Sequence, residues 1–365
     1  MAGNVRPRER APLLALGFVG LLFGVAAGLA RMGYRMPDVA STLSAWHGPL
    51  MVGGFFGVVI ALERAVAIGR YWAYAAPLAG GFATIALVAA APAVGAWLLA
   101  AASAVLVVAS IDVVRRQPAL FTLTLAIGAA CWLAGNVMWA LGAPVFDVVA
   151  WWLAFLILTI AGERLELSRF LPPSPLARRV FIAIVATIMV GLGAGRTSAG
   201  TLLFAAGLLA LAGWLSKQDI ARRTVRKQGL TRYIAVCLLS GYAWLAVGGS
   251  VILAAGGLVP GSPAHDAATH AIAIGFVFSM VFGHAPIIFP AVLRVAVPYH
   301  PAFYVPLGLL HGSLAVRLIG DASGSFAWTR AGGALNAAAL AAFIIGTVTA
   351  VVRARRSEPA RAETS

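Results

Sequence analysis

Charge is scarce in this chain. Only 11% of its 365 residues are Asp, Glu, Lys or Arg, against about a quarter in a soluble globular protein. Acidic groups are the scarcer sign, 12 against 27 basic ones, which leaves a formal net charge of +15 at pH 7. No polar stretch outgrows a connecting loop, so a large soluble domain is excluded. Cysteine is limited to Cys131 and Cys237, in different apolar segments and outside any CxxC or CxxCH pattern. That argues against a disulfide framework, an iron–sulfur site and covalent haem attachment.

Apolar residues fill the chain instead. They make up 61% of it, and the mean hydropathy is +0.92. A membrane-crossing helix needs about 20 mostly apolar residues. Twelve such stretches are present, at 11–31, 46–66, 73–91, 94–114, 119–142, 148–168, 178–195, 198–216, 232–257, 266–293, 301–320 and 328–352. The expected fold is all-α: a polytopic membrane protein with twelve transmembrane helices, one integral membrane domain over residues 1–365, with the lipid bilayer as its partner. The basic start, MAGNVRPRERAP, leads into an apolar run long enough to span, with no cleavage site behind it. It reads as a retained first helix rather than a signal peptide.

In a soluble protein a charge of +15 would suggest nucleic acid, but here topology accounts for it. With the N-terminus in the cytoplasm, the outer loops hold only Arg31, Arg35, Arg196 and Arg330, and Arg317 lies within a span. The other 22 of the 27 basic residues fall on the inner side. This is a strong positive-inside bias, and it places both termini in the cytoplasm of a bacterial-type inner membrane. No nucleic-acid partner is needed. The most basic stretch, 217–232, becomes a cytoplasmic loop facing anionic lipid, and its simplest role is to fix topology.

A short internal echo crosses the first half. The second span ends in Ala61–Leu62–Glu63–Arg64, and the sixth in Ala161–Gly162–Glu163–Arg164. Spans two, six and ten would occupy equivalent positions in three four-helix units. A charged pair at a helix end also serves simply to anchor the membrane interface.

Four histidines lie inside apolar spans: His47, His270, His284 and His311. A titratable ring at membrane depth is costly and is usually retained for proton, ion or metal chemistry. At about 1.5 Å per residue, His47 and His270 fall near the outer side, and His284 and His311 fall in the inner half. His270 and His284 are 14 residues apart, which at about 100° per residue puts both rings on one face, separated by about 21 Å. That spacing suits two sites at different depths. It resembles the helices of cytochrome b, which hold two haems one above the other. Arg317 needs an anion at this depth. A haem propionate would serve, as would Asp147, Asp266 or Asp321. His265 and His300 read as interfacial polar residues.

The segment Trp46–His47–Gly48–Pro49–Leu50–Met51 resembles the second helix of haem–copper oxidase subunit I, whose His–Gly–x–x–Met ligates a low-spin haem. His270–Ala271 with Gly275, then Gly283–His284, resembles a late helix of the NnrS family, and Leu314–Ala315–Val316–Arg317 the Arg-containing helix that follows it. NnrS proteins look like twelve-helix relatives of the oxidase subunit, associated with haem, copper and nitric oxide stress. The resemblance implies a b-type haem held by His47 and His270, with Arg317 on a propionate, and copper or a second haem at His284 and His311. Two departures stand out. NnrS proteins usually carry His–x–His–Glu in the second helix, and spans six and seven here lack the histidines of the oxidase copper site. Oxygen reduction by the oxidase mechanism is therefore not expected. Two functions compete: a haem-containing redox or nitric-oxide-response protein served by an unspecified electron donor, and a transporter that moves protons or anions past intramembrane His and Arg.

Overall fold

A computed structural model describes residues 4–167 and 173–357. Arg169 and Arg361, part of the expected inner charge, lie outside the described residues. Every regular element among the described residues is helical. Twelve helices are long and apolar enough to cross a membrane. They are α1 (Pro7–Arg31), α2 (Ser44–Ile68), α3 (Tyr71–Val88), α4 (Pro92–Arg116), α5 (Leu120–Ala140), α6 (Val145–Leu167), α7 (Pro175–Gly193), α8 (Ser198–Gln218), α9 (Gly229–Ala255), α10 (Pro263–Leu293), α11 (Pro301–Ser323) and α12 (Phe326–Ala354). The protein is an all-α, multi-pass membrane protein. No span boundary differs from the sequence expectation by more than four residues.

The punctuation of these helices is local chemistry. Ser174, Thr197 and Ser262 accept from Ala177 N, Gly200 N and His265 N, which caps α7, α8 and α10. Pro7, Pro175 and Pro263 open their helices where a backbone N–H would be orphaned anyway. Gly69, Gly256 and Gly324 end α2, α9 and α11 in the left-handed conformation.

The contacts divide the chain into two compact units, residues 1–167 and 168–365, with six spans in each. In place of three four-helix units there are thus two units of six spans. In the first unit α1 packs on α2 and α3, and α3, α4, α5 and α6 follow as sequential antiparallel neighbours. In the second unit α7 pairs with α8, α8 with α9, α9 with α10, and α11 with α12.

Sequence reading missed one feature that recurs in both units. Within α2, residues Leu50–Gly57 form a π-helix, and within α10, Ala271–Phe278 form another of the same eight-residue length. Seven residues of each are buried, all but Met51 and Ala273. A π stretch is rare, bonds i to i+5 and is frequent at functional sites. Its wider turn advances less than the α-helical 100° or so per residue. Eight of the residues between His270 and His284 are of this kind, so uniform α-helical spacing does not describe the turn between the two rings.

Candidate functional site

In the first unit, His47 stands three residues before the π stretch of α2. Its Nδ1 lies 2.7 Å from the carbonyl oxygen of Gly24 on α1. A carbonyl can only accept, so Nδ1 carries the hydrogen, and the neutral ring has its lone pair on Nε2. The α1 backbone comes this close because of glycine. A Cβ on Gly28 would fall 2.9 Å from both Cε1 and Nδ1 of His47. Gly28→Ala is therefore expected to displace the ring from Gly24 and lower stability by about 1–3 kcal/mol. Thermal unfolding in detergent measures this, and an unchanged midpoint would show that the ring gives way freely.

In the second unit, His270 immediately precedes the π stretch of α10. Its Nδ1 lies 2.8 Å from the carbonyl oxygen of Asp266, one turn earlier, and 3.2 Å from the Asp266 carboxylate. The same tautomer follows, with Nδ1–H and the lone pair on Nε2. The Asp266 carboxylate is in turn gripped by Arg317 of α11, whose Nε and Nη2 donate to Oδ2 and Oδ1 at 2.7 and 2.8 Å. The bidentate fork is the strong form of this pair. Arg317 is 6% exposed. A Cβ on Gly332 of α12 would fall 2.5 Å from the Arg317 nitrogen, so α12 packs backbone-close behind it. One turn beyond Arg317, Asp321 accepts from the Thr329 hydroxyl at 2.9 Å. Arg317 thus has the Asp266 carboxylate as its anion, one of the aspartates weighed beside a haem propionate.

His284 and His311 do not share a chemistry. His284 repeats the pattern above, with Nδ1 at 2.7 Å from the carbonyl oxygen of Met280, one turn back on α10. His311 has the opposite tautomer. The indole N–H of Trp244 on α9 donates to its Nδ1 at 2.9 Å, and indole nitrogen can only donate. The neutral His311 ring therefore carries its hydrogen on Nε2, where a metal ligand would need a lone pair. Trp244 reaches His311 past Gly275 in the π stretch, where a Cβ would fall 2.4 Å from the Trp244 Cγ. Among the described residues, no group of three or more His, Cys, Asp or Glu is placed to hold a metal ion. Cys131 and Cys237 are buried free thiols.

The two Glu–Arg pairs of the sequence echo do come together. The charges of Glu63, Arg64, Arg164 and Glu166 all act on the Glu163 carboxylate, at the C-terminal ends of α2 and α6. At the other ends, Gly48 faces Val145 and Trp152. Helices α2 and α6 are therefore parallel neighbours. Between them and α4 and α5 is a pocket with room for about one water, whose polar lining is Arg64, Ser110 and Thr159. Further along the same seam, Asn136 accepts from the Trp152 indole at 2.9 Å and donates to the Leu99 carbonyl at 3.1 Å.

Sequence reading identified the four histidines, and Arg317 with Asp266 among its possible anions, but missed what holds the four rings. The partners are backbone carbonyls and an indole, and neither leaves a motif.

Together the fold and these placements define a polytopic all-α membrane protein with histidines held in set tautomers inside its spans. The chain belongs to the family described as "Domain of unknown function (DUF8744)", which it matches over residues 10–352. No curated protein and no solved structure matches it.

Proposed function

We propose that this protein is a haem-binding integral membrane protein in which His47, in the first unit, and His270, in the second, are each an axial iron ligand through Nε2. One observation carries the reading. Each of these rings has its Nδ1–H on a backbone carbonyl beside a buried π stretch of equal length. Iron-ligating histidine takes this form, because the second-shell acceptor fixes the tautomer and raises the basicity of the ligating nitrogen. The haem is non-covalent, since no CxxCH is present, and we take it to be of the b type on the likeness to NnrS proteins. When bound, it would supply one-electron and diatomic-ligand chemistry. The protein's part is to orient the two rings. The likeness to NnrS proteins adds a role in redox or nitric oxide stress. His284 has the same tautomer and is a candidate ligand for a second haem, whereas the tautomer of His311 argues against copper at that pair. Low-temperature electron paramagnetic resonance of the oxidised protein is expected to show a low-spin ferric signal. Absence of any haem-iron signal would exclude the reading.

A second reading, a proton- or anion-coupled transporter, draws on the Asp266–His270–Arg317 cluster. It predicts a colourless purified protein and ion flux in proteoliposomes. In either case we place both termini in the cytoplasm of a bacterial-type inner membrane, on the 22-to-4 bias of basic residues. Reporter fusions at Arg196 and Lys217 are then expected on opposite sides, and finding both on one side would overturn this topology.

A further inference from the structure

The link between α8 and α9 carries Lys217, Arg222, Arg223, Arg226, Lys227 and Arg232, and a single acidic residue, Asp219. That acid is turned inward and is 3% exposed. Its Oδ1 accepts from Ala221 N at 2.8 Å, and its Oδ2 accepts from the hydroxyl of Tyr242 on α9 at 2.7 Å. Ala221 and Tyr242 are themselves buried. The short helix Ala221–Thr224 is thereby pinned to the second unit by a buried carboxylate. Outside it, Arg222, Arg223, Arg226 and Lys227 are exposed, and none of the four is ion-paired among the described residues. Ile220 beside them is 37% exposed. The segment joins two membrane spans directly, so it lies at the bilayer surface on whichever side the chain places it.

We propose that this pinned turn is a binding site for the phosphodiester headgroup of an anionic phospholipid, with Arg222, Arg223, Arg226 and Lys227 on the headgroup and Ile220 at the edge of the acyl region. Guanidinium matches phosphate bidentately. Each cation near an anionic leaflet strengthens binding about fivefold. A topology signal needs only the charges, whereas a site needs them held in place, and the buried Asp219–Tyr242 bond supplies that hold.

The test uses the full-length protein in phosphatidylcholine nanodiscs doped with phosphatidylglycerol. Spin-labelled lipids report the ratio of motionally restricted glycerol lipid to restricted choline lipid. The wild type is expected to prefer the anionic lipid at least about tenfold, on the basis of several cations acting together. The variant R222Q/R223Q/R226Q/K227Q should bring the ratio near unity. Asp219→Ala separates the two explanations. It raises the net positive charge by one, so charge count alone predicts equal or tighter lipid binding, whereas loss of the pinned turn predicts a severalfold loss of preference. Tyr242→Phe keeps every charge and removes one bond to Asp219; it should weaken the preference in the same direction, and it remains informative if Asp219→Ala does not fold. A wild-type ratio near unity would overturn the proposal, as would undiminished preference in both Asp219→Ala and Tyr242→Phe. Inorganic phosphate that displaces the labelled lipid would also overturn it, by assigning the site to soluble phosphate.

Discussion

Replacing His47 or His270 by alanine is expected to remove low-spin haem absorbance from the purified protein. Each change deletes the nitrogen that would bind iron. The Gly24 and Asp266 carbonyls that hold the rings are backbone groups and have no reach of their own. Changes to outer-shell partners alone typically cost about 10–100-fold in metal affinity, so loss of the ligand itself should cost more. Added imidazole should restore part of the signal in either variant by filling the space the ring leaves. His311→Ala should retain the spectrum, because its Nδ1 is engaged by Trp244 and its Nε2 carries the hydrogen. A full spectrum in both the His47 and the His270 variants would refute the assignment, whatever else bound the haem.

The second large effect concerns stability. Breaking a buried ion pair by removing one partner costs about 3–5 kcal/mol, because a charge is left uncompensated. The side chains of Arg317 and Asp266 are 7% and 32% exposed. Asp266→Ala strands the more buried charge and is expected to lie within that range. Arg317→Ala strands a carboxylate that water partly reaches, at the first turn of α10 where the helix dipole favours an anion, and should cost less, about 2–3 kcal/mol. Arg317→Lys should not rescue, because one ammonium cannot reproduce the two-pronged bond. The double change Asp266→Leu with Arg317→Met should be far milder than the sum, since it leaves neither charge behind. Thermal unfolding of the four variants in one detergent measures the series. Equal, small losses throughout would mean that the pair contributes orientation rather than stability.

These two predictions differ in how far the sequence supports them. The spans were legible because about 20 consecutive apolar residues have few alternative structures, and caps such as Ser262–Pro263 and Thr197 mark their ends. The histidines were legible because a polar ring stands out among Ala, Leu and Val. Their tautomers were not, because a carbonyl acceptor such as Gly24 is present at every residue, and only the close α1–α2 approach selects it. The π stretches were invisible for a related reason: AIAIGFVF is as apolar as any α-helical core segment, and no residue type in it requires an i to i+5 bond. Depth reasoning by uniform rise therefore placed His284 and His311 at one level but could not set which way either ring faced. Arg317 announced its need for an anion, yet three aspartates were equally available on paper. The choice of Asp266 comes from α10 and α11 packing together, 51 residues apart in sequence.

The central claim is that the chain carries haem. The most direct test is the absorption spectrum of the purified full-length protein, with a pyridine haemochrome assay on the same sample, after expression with ample haem precursor. The account predicts a Soret band and a b-type haemochrome in stoichiometric amount. A colourless protein with no extractable haem would contradict it.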